Sequence, residues 1–150
     1  MNKKKKTRPT IAFLTDWSEE EYQTNLREGV IDAAEENDAN LFCFIGGALN
    51  SVNAYEIQRN VIYDLVNENN VDGVIIMSAS IGHYISYNEI VAFCNKYRHI
   101  PIVSIAVQID GIPSVLVDQE TGMRALLTHL IEDHGYKKIA FIRGPESHFP

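Results

Sequence analysis

The chain has 150 residues, 45% of them hydrophobic and 22% charged, with a formal net charge of −7 and a pI near 5.1. This composition suits one globular domain with a sizeable core, and it argues against a nucleic-acid-binding face, which needs clustered Lys and Arg. No apolar run reaches the roughly 18 residues of a membrane span, and MNKKKKTRP lacks the apolar segment and small-residue site of a secretory leader.

The elements alternate along the chain. Residues 1–8 read as a disordered basic tail, because short blocks of like charge are usually solvated. Ile11 to Thr15 (IAFLT) is a short strand. Ser18 to Asn37 is helical, opened by a capping box of Ser18 and Glu21. Tyr22, Leu26, Val30 and Ala33 recur at helical spacing, and Gly29 on that stripe is expected to allow close approach to a sheet. Leu41 to Gly47 (LFCFIGG) is a second strand entering a Gly-rich loop. A second helix is expected from Asn53 to Asn70, with Ile57, Val61 and Leu65 inward. Val71 to Ser78 is the third strand. Ser86 to Arg98 is the third helix, with Ile90, Phe93, Cys94 and Tyr97 inward. Ile100 to Val107 and Ser114 to Asp118 are strands. Glu120 to His134 is a helix closed by Gly135, and Lys138 to Gly144 (KIAFIRG) is a final strand.

These strands are mostly continuous apolar runs, which implies burial on both faces. Strand–helix alternation then implies a doubly wound parallel sheet in a three-layer α/β/α arrangement. Ligands of such folds sit beyond the carboxyl ends of the strands. The loops of interest are therefore Asp16 to Gln23, Gly46 to Asn53, Ser78 to Tyr84 and Gln108 to Pro113.

The sequence carries no phosphate-loop motif, no GxSxG nucleophile elbow and no HExxH pair. Gly46 to Ser51 (GGALNS) lacks dinucleotide-binding spacing and reads as a tight turn. Cys43 and Cys94 lie in apolar runs without CxxC spacing, so both are expected to be buried free thiols in a reducing, cytoplasmic setting. No metal or cofactor site is indicated. His129 and His134 stand five apart on one helix, a spacing that does not share a face of an α-helix. Asp16 follows the first strand, but the third strand ends in Met77-Ser78-Ala79-Ser80, without the phosphorylated acid of a receiver domain. Trp17 suits a core plug or a stacking platform equally. Tyr22 sits on the apolar stripe and at the crevice edge.

Val71 to Ile76, Arg98 to Val103 and above all the stretch Val115 to Pro145 (VLVDQETGMRALLTHLIEDHGYKKIAFIRGP) resemble the effector-binding domain of the lactose- and purine-repressor family. That resemblance covers Arg8 to Pro150. It implies a type 1 periplasmic-binding-protein fold, two α/β lobes with a small ligand between them. Residues 9–117 would form lobe one. Residues 118–150 would be the crossover, hinged at Asp118 and Gln119, and the start of an incomplete lobe two. It also implies ligand contacts in the loop of Ser147 and His148. The chain departs from the family's pattern at Ala106, where an Asp is common, and at Gln119, where Asn is usual. It has no helix-turn-helix, so direct nucleic-acid binding by this segment is not expected.

The leading expectation is a non-enzymatic sensor domain. A sugar- or nucleoside-like effector would contact Asp16, Trp17, Tyr22, Gln23, Ser78 and Ser80, close the lobes and regulate an attached output module such as a histidine kinase or diguanylate cyclase. Homodimerisation through the lobe-one helices is expected with it. The alternatives are the effector domain of a transcriptional regulator and a small flavodoxin-like enzyme. The sensor reading further expects exposed apolar surface at Leu126, Leu130, Ile139 and Phe141.

Overall fold

A parallel sheet organises the chain. The structure is a computed structural model that describes residues 8–16 and 21–142. The elements are β1 (Thr10–Thr15), α1 (Glu21–Glu36), β2 (Asn40–Ile45), α2 (Ala54–Arg59), a 3₁₀ segment (Asn60–Leu65), β3 (Gly73–Met77), α3 (Ser78–Ile81), α4 (Tyr87–Asn95), β4 (Ile102–Ile105), β5 (Ser114–Val115), α5 (Gln119–Thr128) and a π turn (His129–Asp133). The strand order is β2-β1-β3-β4-β5 and every pairing is parallel. This is an α/β fold consistent with the type 1 periplasmic-binding-protein fold.

Alternation along each strand sends side chains to two cores. Ala12, Leu14, Val74 and Ile76 face one way and pack with Tyr63, Val66, Ile81, Ile90, Phe93, Cys94 and Tyr97. Phe13, Met77 and Ile105 face the other way, against Leu26 and Val30 of α1. The third predicted helix is realised as α4. Ile90, Phe93, Cys94 and Tyr97 are all buried. Its start is fixed by Glu89, whose carboxylate accepts from the Ser86 N–H at 2.8 Å and the Ser86 hydroxyl at 2.7 Å.

The structure corrects six of the expectations. The second helix tightens to 3₁₀ geometry after Arg59. Tyr63, bonded to the Thr15 and Gly47 carbonyls, and Val66 take the inward side, so Ile57 in α2 and Val61 and Leu65 beyond it are exposed. Gly29 makes no close approach, since a Cβ there would meet nothing within 4 Å. Cys43 is exposed, because β2 is an edge strand and α1 buries no residue completely. Ser78 turns into the core and not toward a ligand. Lys138 to Ile142 form no strand, because a strand needs a paired neighbour and none lies beside them among the described residues. Phe141 is 71% and Ile142 95% exposed. Finally, the π turn brings His129 and His134 onto one face, since i to i+5 bonding places the fifth residue above the first.

Gly135 has φ +67° just past the π turn, as its predicted capping role requires. Leu126, Ile139 and Phe141 are exposed as expected, whereas Leu130 is half-buried. The Ser18 capping residue lies outside the described residues.

Candidate functional site

In the order β2-β1-β3-β4-β5 the chain winds one way from β1 to β2 and the other way from β3 onward. The crevice between the carboxyl ends of β1 and β3 is the topological switch point. Beside it, over the carboxyl ends of β3 and β4, opens a pocket of about 170 Å³ lined by Tyr22, Gln23, Met77, Ala79, Ser80, Ile105 and Ala106. Each wall has a local cause. Tyr22 and Gln23 stand in the first turn of α1. Met77 and Ile105 are the last residues of β3 and β4.

The floor is tied from below. The Tyr63 hydroxyl lies 2.9 Å from the Thr15 carbonyl and 3.2 Å from the Gly47 carbonyl, so one buried donor serves the ends of β1 and β2. A Cβ at Gly46 would lie 2.4 Å from the Tyr63 ring, so glycine is required there. The Gly47 N–H donates to Asn60 Oδ1 at 2.8 Å, and Asn60 Nδ2 donates to the Ala48 carbonyl at 3.2 Å. The Gly-rich loop is thus a turn whose amide is already engaged, as its spacing predicted. Under β3 and β4, Ser104 Oγ donates to the Val107 carbonyl at 2.7 Å, so Ser78 Oγ donates to Ser104 Oγ at 2.8 Å. Both serines are fully buried. Ala106 sits on the pocket floor at φ +66°, a conformation costing an L-residue about 1 kcal/mol.

Two polar atoms of this region lack partners. Asp16 Oδ1 and Gln23 Oε1 are buried without a hydrogen bond. An unpaired buried acceptor costs about 1–3 kcal/mol, and a ligand donor removes that cost. No basic side chain lines the pocket among the described residues, so it has no counter-charge for a phosphate or carboxylate.

Of the residues expected to form the site, the structure brings Tyr22, Gln23 and Ser80 together around the pocket, while Asp16, which directly follows β1, is not among its lining residues. Trp17, Ser147 and His148 lie outside the described residues. Sequence reading flagged the loop of Ala79 and the position of Ala106 without naming either as a contact, and it missed Met77 and Ile105 as pocket walls. Their position at the strand ends was the available signal. Asp118 caps the start of α5, and Gln119 is its first residue. Asp118 accepts from the Thr121 N–H at 3.0 Å, and that bond lowers its carboxyl pKa. No cluster of three or more metal-ligating side chains occurs among the described residues, and none of their helices is long and apolar enough to cross a membrane.

A parallel sheet with a walled cleft beyond its strand ends is the arrangement in which α/β domains hold small ligands. Residues 8–149 match the family described as periplasmic binding proteins and sugar binding domain of LacI family. The chain belongs to that family. Neither a curated protein nor a solved structure matches it.

Proposed function

We propose that this chain is a sensor domain that binds a small, donor-rich effector, sugar- or nucleoside-like, in the cleft beyond the strand ends. The observation that carries this reading is the pair of orphaned acceptors, Asp16 Oδ1 and Gln23 Oε1. Hydroxyl or amine donors on the ligand complete them. The Tyr22 ring, half-exposed at the rim, supplies an apolar face for a ring, and Trp17, five residues before it in sequence, is proposed to supply a second. Ser80, whose hydroxyl donates to the Met77 carbonyl at 3.3 Å, keeps lone pairs for a ligand donor.

In this reading lobe two closes over the cleft about Asp118 and Gln119, with Ser147 and His148 contacting the ligand from the far side. Closure then biases an attached output module, shifted only by the ligand's preference for the closed form. Two free thiols, Cys43 and Cys94, support a reducing compartment. The exposed stripe of Ile57, Val61 and Leu65 supports a homodimer through the lobe-one helices.

Calorimetric titration of the full-length protein against neutral sugars, nucleosides and their phosphorylated forms tests the binding reading. A neutral ligand should bind, its phosphorylated form should not, and Asp16→Asn or Gln23→Ala should each weaken binding by about tenfold or more. Failure of the whole panel to bind would overturn it. Light scattering of Val61→Glu against the parent tests the dimer, which should dissociate.

A further inference from the structure

We propose that His129 and His134 form a surface binding site for a divalent transition-metal ion, separate from the cleft. The π turn over His129–Asp133 places their Nε2 atoms 3.0 Å apart, with the rings nearly perpendicular at 89°. Each ring is held by a different neighbour. His129 Nδ1 lies 2.7 Å from Asp133 Oδ2. A proton on Nδ1 facing that carboxylate makes His129 Nε2 the acceptor of the His134 Nε2 proton and aims its lone pair at the space between the rings, the arrangement in which a carboxylate orients a metal-ligating histidine. His134 stacks on Tyr136 with an interplanar angle of 10°. Gly135, at φ +67°, makes the reversal that returns Tyr136 to that ring.

The separation suits a metal. Two zinc–nitrogen bonds of about 2.0–2.1 Å at a tetrahedral angle hold their nitrogens roughly 3.3 Å apart. Opening the pair by about 0.3 Å, with the small ring rotation that exposed side chains allow, lets an ion replace the proton between the Nε2 atoms, which leaves to solvent as His134 carries its proton on Nδ1 instead. His129 is 55% and Asp133 67% exposed, so an ion reaches the pair from solvent. All four residues fall between positions 129 and 136, so the site depends on the local turn and not on the sheet. Imidazole donors select copper(II), nickel(II) or zinc(II) over magnesium or calcium. Two protein ligands leave the other coordination positions to water or to a donor from another molecule.

The test uses the full chain with copper(II) and zinc(II) as probes. Calorimetry should show one tight equivalent, and copper paramagnetic resonance should show imidazole nitrogen coordination. Zinc should shift the imidazole proton resonances of His129 and His134 in the unaltered protein, a readout independent of any variant's folding. His129→Ala and His134→Ala should each abolish the tight equivalent. Asp133→Asn, a positioning change, should weaken it about tenfold. His83→Ala and His99→Ala should leave it unchanged. Equal affinity in the His129→Ala/His134→Ala double variant, or zinc-induced shifts confined to other histidines, would overturn the proposal.

Discussion

On one face of the sheet the α2–α4 layer seals Leu14, Ile76, Ile81, Ile90 and Cys94 completely. On the other, α1 buries none of its own residues fully and meets Phe13, Met77 and Ile105 with half-buried Leu26 and Val30. The pocket opens on that thinly covered side. The difference teaches how the fold divides its work. The sealed face fixes the strand ends, and the loosely covered face leaves α1 room to present Tyr22 and Gln23 to a ligand.

Substitutions measure this asymmetry. Phe93→Ala removes a ring packed edge-on to Tyr63 and Tyr97 and should cost about 3–5 kcal/mol in denaturant unfolding. Leu26→Ala, on the thin face, should cost well under half as much, and an equal loss would erase the contrast. Tyr63→Phe keeps the packing but removes the donor to Thr15 and Gly47. The expected loss is about 1–3 kcal/mol, together with faster amide exchange at Gly46 and Gly47. Gly29→Ala, on the open outer surface of α1, should stabilise by about 0.5–1 kcal/mol.

The smallest effects are chemical. Cys43 on the exposed edge should react with a thiol reagent in the native state, while Cys94 should react only on unfolding. Burial raises the pKa of both thiols and so slows each. The Ser86 hydroxyl and N–H lower the pKa of Glu89. Its contribution is present above the ordinary carboxylate pKa and is lost as pH falls through the lowered one. Glu89→Gln should therefore flatten the acid limb of the stability curve slightly.

Much of the fold was legible because its signals were local. The α4 face read correctly since Ile90, Phe93, Cys94 and Tyr97 keep a true helical period. The Ile57–Val61–Leu65 stripe misled because apolar spacing marks a face without saying that it turns inward, and here the buried Tyr63 sets the inward side. Cys43 was unreadable from its apolar run, since hydrophobicity does not tell an edge strand from a central one. Ser78 occupies a ligand-loop position in sequence. Its buried partner Ser104 lies 26 residues away, and only the β3–β4 pairing brings them together. The strand-end rule pointed to the loops that hold Tyr22, Gln23 and Ser80, which line the pocket. It was silent on the π turn, which no residue pattern announces.

The phenol under the cleft floor has an optical consequence. Burial first, and the nearby Asp16 charge second, push the pKa of Tyr63 well above that of an ordinary tyrosine, and burial does the same to Tyr97. Of the seven tyrosines in the chain, these two should stay dark in an alkaline absorbance titration until the domain unfolds. Their late ionisation would report, without any label, the moment the strand ends beneath the ligand come apart.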